Sequence, residues 1–220
     1  MPSQQKVIKE LLTSYGHTFA EDAGIRLKNT PQPLYQTLVL ACLLSARIRS
    51  SAAVASAREL REAGLRDPRR MADSDWQERV DALGRGGYRR YDERTATQLG
   101  DGAQLVLDRW GGDLRRMRDE AGGDLDKLRG LLQEVPGLGP AGADIFLREV
   151  QAVWPEASPY LDAKAREGAK RLGLPDAPPK LARLAGDAEP AVFAAALVRA
   201  AVDKNVAEEC KRAAEESDGD

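Results

Sequence analysis

The segment VPGLGPAGA, Val135 to Ala143, places three glycines and two prolines between apolar runs, in the pattern helix–PGxG–helix. Gly137 and Gly139 are expected to take backbone conformations closed to other residues and to leave their amides without side-chain cover. Those amides fall at the start of the following helix, where unpaired N–H donors and the helix dipole suit an anion such as a phosphate. The same residues also make a tight αα-hairpin that serves packing alone, and the turn by itself leaves both readings open. A second source of chemistry is basic. Arg47, Arg49, Arg58 and Arg61 form one cluster, Arg85, Arg89, Arg90 and Arg94 another, and Lys164, Arg166, Lys170 and Arg171 a third. Net charge is −2, so the molecule as a whole is no polyanion binder. Local clusters can still meet phosphates, or can be solvated helix faces.

Other chemistries are excluded by count. His17 is the single histidine, at the end of an N-terminal helix where a surface or C-capping role is expected. One histidine builds neither a metal-hydrolase site nor a Ser–His–Asp triad. The two cysteines, Cys42 in an apolar run and Cys210 in a charged tail, make no disulfide framework and no zinc or iron–sulfur ligand set. The expected compartment is a reducing cytoplasm. No apolar run approaches the ~18 residues of a membrane span, and no signal-peptide core is expected at the N-terminus.

The elements that position these groups read as helices throughout. The 220 residues are rich in Ala, Leu, Arg and Glu, with only 5% aromatics, which favours helix over sheet. SQQKVIKELLTSYG carries an apolar stripe at Val7, Ile8, Leu11 and Leu12. Asn29–Pro33 is a break, and LYQTLVLACLLSAR, apolar almost all round, predicts a buried central helix. Helices follow over SSAAVASARELREAG, after Asp67-Pro68 and Asp73-Ser74-Asp75, over DERTATQLGDGAQLVLDRW beyond the glycine turn GRGGYRRY, and over DLDKLRGLLQEV. AGADIFLREVQAVW, AKAREGAKRLGL and EPAVFAAALVRAAVDK complete roughly ten helices, with WPEASPYLDA as a proline-broken connector. The acidic tail AEECKRAAEESDGD is expected to fray. The fold class is all-α.

In this context the chain resembles the helix–hairpin–helix DNA glycosylase superfamily, most closely the endonuclease III branch. VPGLGPAGA resembles that family's PGVG-centred hairpin, and LDAKAREGAKRLGL (161–174) its Val-Asp-Thr-His segment and following Arg-Leu-Gly-Leu helix. LACLLSARIRSS resembles its Leu-Leu-Ser-Ala-Gln helix, and GGYRRYDERTA its Gly-Leu-Tyr-Asn-Ser-Lys-Ala turn. The resemblance runs in order from about Leu34 to Leu174. It implies two helical lobes with a DNA-binding cleft between them: residues 33–150 as the bundle carrying the hairpin, and 1–32 plus 151–220 as the lobe carrying a catalytic aspartate.

The same resemblance assigns roles. Asp162 matches the aspartate beside the sugar of the flipped-out nucleotide, where a carboxylate stabilises an oxocarbenium-like state and positions water. An N-cap is its structural alternative, and the two roles are compatible. Ala141 stands where relatives carry a Schiff-base lysine, so the implied enzyme is a monofunctional DNA glycosylase of base excision repair without lyase activity. Gly137, Leu138, Gly139 and Ala141 form the phosphate-binding hairpin. Arg47 replaces a glutamine that enters the gap left by the extruded base; pairing with a phosphate or a surface carboxylate is the alternative. Tyr91 and Lys164 join it as candidates for the base pocket, Lys164 standing where relatives have histidine. Tyr88 is read as stacking or, more commonly for a tyrosine, packing. The backbone carbonyls of Gln133, Val135 and Leu138 match positions that hold a monovalent cation, K+ or Na+, in relatives. The four-cysteine loop of the family is missing, so no iron–sulfur cluster is expected. The partner implied is double-stranded DNA with a damaged or mismatched base, met in the nucleoid. A non-catalytic DNA-binding member of the same superfamily is the first rival, and a helical protein–protein module the second.

Overall fold

In the computed structural model residues 3–216 are described, and among them the secondary structure is entirely helical. The helices are α1 (Gln4–Tyr15), α2 (Phe19–Asp22), α3 (Pro31–Leu44), α4 (Ser50–Glu62), α5 (Pro68–Asp73), α6 (Trp76–Arg85), α7 (Asp92–Trp110), α8 (Leu114–Ala121), α9 (Leu125–Gln133), α10 (Pro140–Val150), α11 (Ala163–Arg171), α12 (Pro178–Ala185), α13 (Pro190–Val202) and α14 (Lys204–Glu216), with a 3-10 turn at Pro155–Ala157. Short acidic and hydroxyl side chains start many of them. Ser3, Asp67, Asp113, Asp124, Asp162 and Glu189 each accept a backbone N–H from the first turn of the helix they precede, satisfying donors that have no partner inside the helix.

The chain forms two compact units. One comprises Phe19–Glu156, the other Met1–Thr18 with Ala157–Asp220. In the first, α3 is the buried centre: nine of its residues, from Leu34 to Leu43, are buried, and α4 and α10 pack on it while α5 and α6 pack on α7. In the second, α11 lies against α13. A Cβ on Gly168 would fall 1.8 Å from the carbonyl oxygen of Leu197, so the backbones touch where no side chain fits. Helix α1 completes this unit against α12, α13 and α14, its Tyr15 hydroxyl donating to Glu209 Oε2 at 2.7 Å.

Three features depart from the expectations above. The units part at 18/19 and 156/157 rather than at 32/33 and 150/151. Residues 19–32 belong with the hairpin unit because the amides of Phe19 and Ala20 donate to the Glu149 carboxylate (3.4 and 2.8 Å) and Asn29 Oδ1 accepts from Trp154 Nε1 at 3.0 Å. The acidic tail is helical through Glu216, because Val206, Ala207, Cys210 and Ala214 form a buried stripe; the last four residues of the expected frayed segment lie outside the described residues. Helices α2, α8 and α12 are not among the roughly ten expected; charge hides α8, whose buried face is Leu114, Met117 and Ala121.

Candidate functional site

The hairpin is built on α9 and α10, which Arg129 and Asp144 clamp together through Nε–Oδ1 at 2.6 Å and Nη2–Oδ2 at 3.2 Å. Val135 and Leu138 turn inward and are buried at 6% and 2% exposure. Leu138 folds over Gly142, where a Cβ would meet its Cδ1 at 2.8 Å, and Val135 seats against Gly102 of α7. The two glycines of the PGxG turn then separate by role. Gly137 has φ +85°, and a Cβ there would meet Cys42 Sγ at 2.9 Å and Gln98 Cβ and Oε1 at 3.2 Å. It is glycine for conformation and packing together. Gly139 has φ −77° and ψ −172°, a conformation any residue adopts, and nothing lies within 4 Å of a Cβ built on it. The expectation that both glycines need unusual backbone therefore holds only for Gly137.

Gly139 is the N-cap of α10, exposed and without a capping side chain, and Pro140 and Ala141, both exposed, follow it. The N–H groups of Gly139, Ala141 and Gly142 find no acceptor among the described residues. Gly142 is buried, so the bare donors exposed at this helix start are those of Gly139 and Ala141, which suit an anion without any basic side chain. Around the same turn the carbonyls of Gln133 and Leu138 accept no hydrogen bond among the described residues, and that of Val135 accepts one, from Leu138 N at 3.0 Å. An all-oxygen, neutral donor set of this kind fits a hard cation such as K+ or Na+.

Beside the hairpin an open pocket of about 360 Å³ is lined by Cys42, Ser45, Ala46, Arg47, Tyr88, Tyr91, Arg94, Thr95, Gln98 and Gly137. The end of α3 supplies Ser45 and Arg47, and the start of α7 supplies Arg94, Thr95 and Gln98. Tyr88 is 1% exposed, so it packs; its hydroxyl accepts from Thr95 Oγ1 at 3.3 Å, and burial raises its pKa. Tyr91 is half-buried, with the Arg90 guanidinium 5.3 Å from its ring centroid. The Cys42 thiol donates to the Gly137 carbonyl at 3.4 Å, and burial pushes its pKa up to about 12. The structure thus brings Arg47, Tyr91 and the hairpin glycine together and adds Arg94, Thr95 and Gln98, which the sequence reading did not single out. Arg94 belongs to one of the basic clusters in the sequence; Gln98 carries no sequence signal, since a glutamine mid-helix looks like any solvated polar residue.

The basic residues differ in their partners. Arg47, Arg49, Arg89 and Arg94 are exposed and make no ion pair among the described residues. In the other unit, Lys164 pairs with Glu167 at 2.7 Å, Arg171 with the same carboxylate at 2.8 Å, and Lys170 with Asp176 at 3.0 Å. The hydrogen bond from Lys164 is the main reason the Glu167 carboxyl sits below its ordinary range. Lys164 thus makes an exposed (i, i+3) pair on α11. Asp162 is the N-cap of α11: its Oδ1 accepts from Ala165 N at 2.8 Å, and the side chain is half-buried. His17 lies just past α1, and its carbonyl accepts from Arg199 Nη1 at 2.6 Å. No group of three or more His, Cys, Asp or Glu side chains converges as a metal site among the described residues, and no described helix is long and apolar enough to cross a membrane.

No protein-family model matches the chain, and no curated protein matches it. Among solved structures the chain is similar to a trapped endonuclease III–DNA covalent intermediate, an estranged-adenine complex. The TM-score is 0.50 at 18% identity, over 90% of this chain and 85% of that one. The fold is the all-helical fold of endonuclease III.

Proposed function

We propose that this protein is a DNA glycosylase that acts by hydrolysis alone. The observation that carries the reading is local to the hairpin unit. Unpartnered amides at the start of α10 stand beside a pocket with unpaired arginines, on a fold shared with an enzyme solved in covalent complex with DNA. The exposed amides of Gly139 and Ala141 take a phosphate beside the Gly137 turn, with the Leu138 amide kept by the Val135 carbonyl, and Arg47, Arg89 and Arg94 take its neighbours along the strand. A K+ or Na+ on the carbonyls of Gln133, Val135 and Leu138 would add positive charge for that phosphate to meet.

The chemistry falls to Asp162. As the glycosidic bond breaks, positive charge develops on the sugar, and a carboxylate beside it stabilises that charge and orients the attacking water. Ala141 has no amine and cannot attack the sugar carbon, so the product is an abasic site on an intact strand. No iron–sulfur cluster takes part, and the partner is duplex DNA with a damaged or mismatched base.

One observation favours a second reading, a DNA-binding protein without catalysis: Asp162 already has a structural task in capping α11. Incubation with duplexes bearing a panel of lesions separates the two. Alkali-labile sites that vanish with Asp162→Asn establish the glycosylase. Salt-sensitive binding with no abasic product establishes the second reading. Borohydride should trap no covalent adduct with the unaltered chain, and a clear adduct would refute the role given to Ala141.

A further inference from the structure

We infer that Gln98 is a base-reading residue: the pocket beside the hairpin takes a nucleotide whose base has left the stack, and the Gln98 carboxamide binds that base's edge. This rests on the DNA-binding part of the function proposed above, not on the hydrolysis.

The argument begins with how Gln98 is held. It projects from α7 onto the Gly137 backbone, where its Cβ and Oε1 lie 3.2 Å from the place a Gly137 Cβ would occupy. A positive φ at Gly137 keeps that space free, so the hairpin turn itself positions the carboxamide. Of the glutamines that are not exposed, Gln36, Gln133 and Gln151 each donate a hydrogen bond within the protein. Gln98, equally half-buried, makes none. A carboxamide offers a donor and an acceptor side by side, and because neither is used within the protein both are open to a ligand entering the pocket.

The other groups on the pocket wall suit the remaining parts of a nucleotide. Arg47 and Arg94 have no carboxylate partner, which leaves two guanidinium groups for a phosphate. Tyr91 offers an aromatic face for the base. A volume of about 360 Å³ lies at the lower end of the range of small-ligand sites. A nucleobase edge pairs a donor with an acceptor, as the carboxamide does, and such bidentate pairs discriminate strongly. An abasic sugar has no such edge.

The test compares four duplexes, fully paired, with one unpaired nucleotide, with one mismatch and with one abasic analogue, by fluorescence anisotropy at fixed salt. The expected result is tighter binding of the unpaired-nucleotide duplex than of the abasic one, with that preference reduced about tenfold by Gln98→Ala and by Gln98→Met, which keeps the length without adding charge and removes the donor and acceptor. Affinity for the fully paired duplex should be unchanged in both variants, which also shows that they are folded. Unchanged preference in both variants overturns the inference while leaving the proposed function standing. Loss of all duplex binding by the unaltered protein overturns both. Titration with free deoxynucleoside monophosphates distinguishes the sources. Binding that Gln98→Ala weakens shows the pocket takes a free nucleotide as well, and absence of binding alongside the duplex preference assigns it to nucleotides within a strand.

Discussion

Replacing each glycine of the PGxG turn by alanine should produce very different losses. At Gly137 the new side chain meets two penalties. A φ of +85° is a left-handed conformation that costs an L-residue roughly 1–2 kcal/mol. A Cβ at 2.9 Å from Cys42 Sγ and 3.2 Å from Gln98 overpacks a buried contact at roughly 1–3 kcal/mol. Gly137→Ala should therefore destabilise by about 2–5 kcal/mol. At Gly139 the φ is ordinary and the space is open, so only the modest difference between glycine and alanine at an N-cap remains, about 1 kcal/mol or less. All three tryptophans, Trp76, Trp110 and Trp154, fall within Phe19–Glu156, so urea unfolding followed by tryptophan fluorescence reports this unit. Combining Gly137→Ala with Cys42→Ala removes the nearest overlap but not the backbone penalty. The pair should be less destabilised than the sum of the single changes by about 1 kcal/mol. Equal losses for the two glycines, or additivity with Cys42, would refute the division of roles drawn between them.

Four further outcomes are expected. Arg47→Ala and Arg94→Ala should each lower the salt slope of duplex binding by about one, while Lys164→Ala, removing a residue paired with Glu167, should leave it unchanged. Ala141→Lys supplies an amine at the start of α10; if the proposed reaction is right, borohydride should then trap a protein–DNA adduct that the unaltered chain does not give. Burial raises the thiols of Cys42 and Cys210 to about 12 and about 11, so neither should react with a disulfide reagent at pH 8 until urea is added. Glu156 is held below the ordinary carboxylate range mainly by its hydrogen bonds from Arg118. A lowered folded value means its contribution is complete above the unfolded carboxylate range and disappears as pH falls through the folded one. Glu156→Gln should cost about 1 kcal/mol at pH 7, a gap that closes in urea titrations below about pH 4.

The hairpin and α3 were legible because each rests on a strong local signal: glycine and proline at fixed spacing, and an apolar run too continuous for a surface helix. Tail helix α14 was not, because its buried stripe is Val206, Ala207, Cys210 and Ala214, small residues outnumbered by charge. The unit boundary at Phe19 depends on a carboxylate 130 positions away, which no local pattern announces. Gln98 is the clearest case. Its importance comes from which backbone it lies on and which bonds it does not make, and both are facts of tertiary structure.

The second unit is sewn from both ends of the chain: α1 packs with α13 and α14, and Tyr15 bonds Glu209 across 194 positions. During synthesis, then, α1 emerges well before α13 and α14, the partners it packs against, while Phe19–Glu156 draws its elements from one continuous stretch. The stretch of the hairpin unit is therefore synthesised in full before α13 and α14, which the aspartate's unit needs, are available. A chain cut short after α12 would lack α13 and α14, leaving the apolar stripe of α1 at Val7, Ile8 and Leu11 without most of its cover.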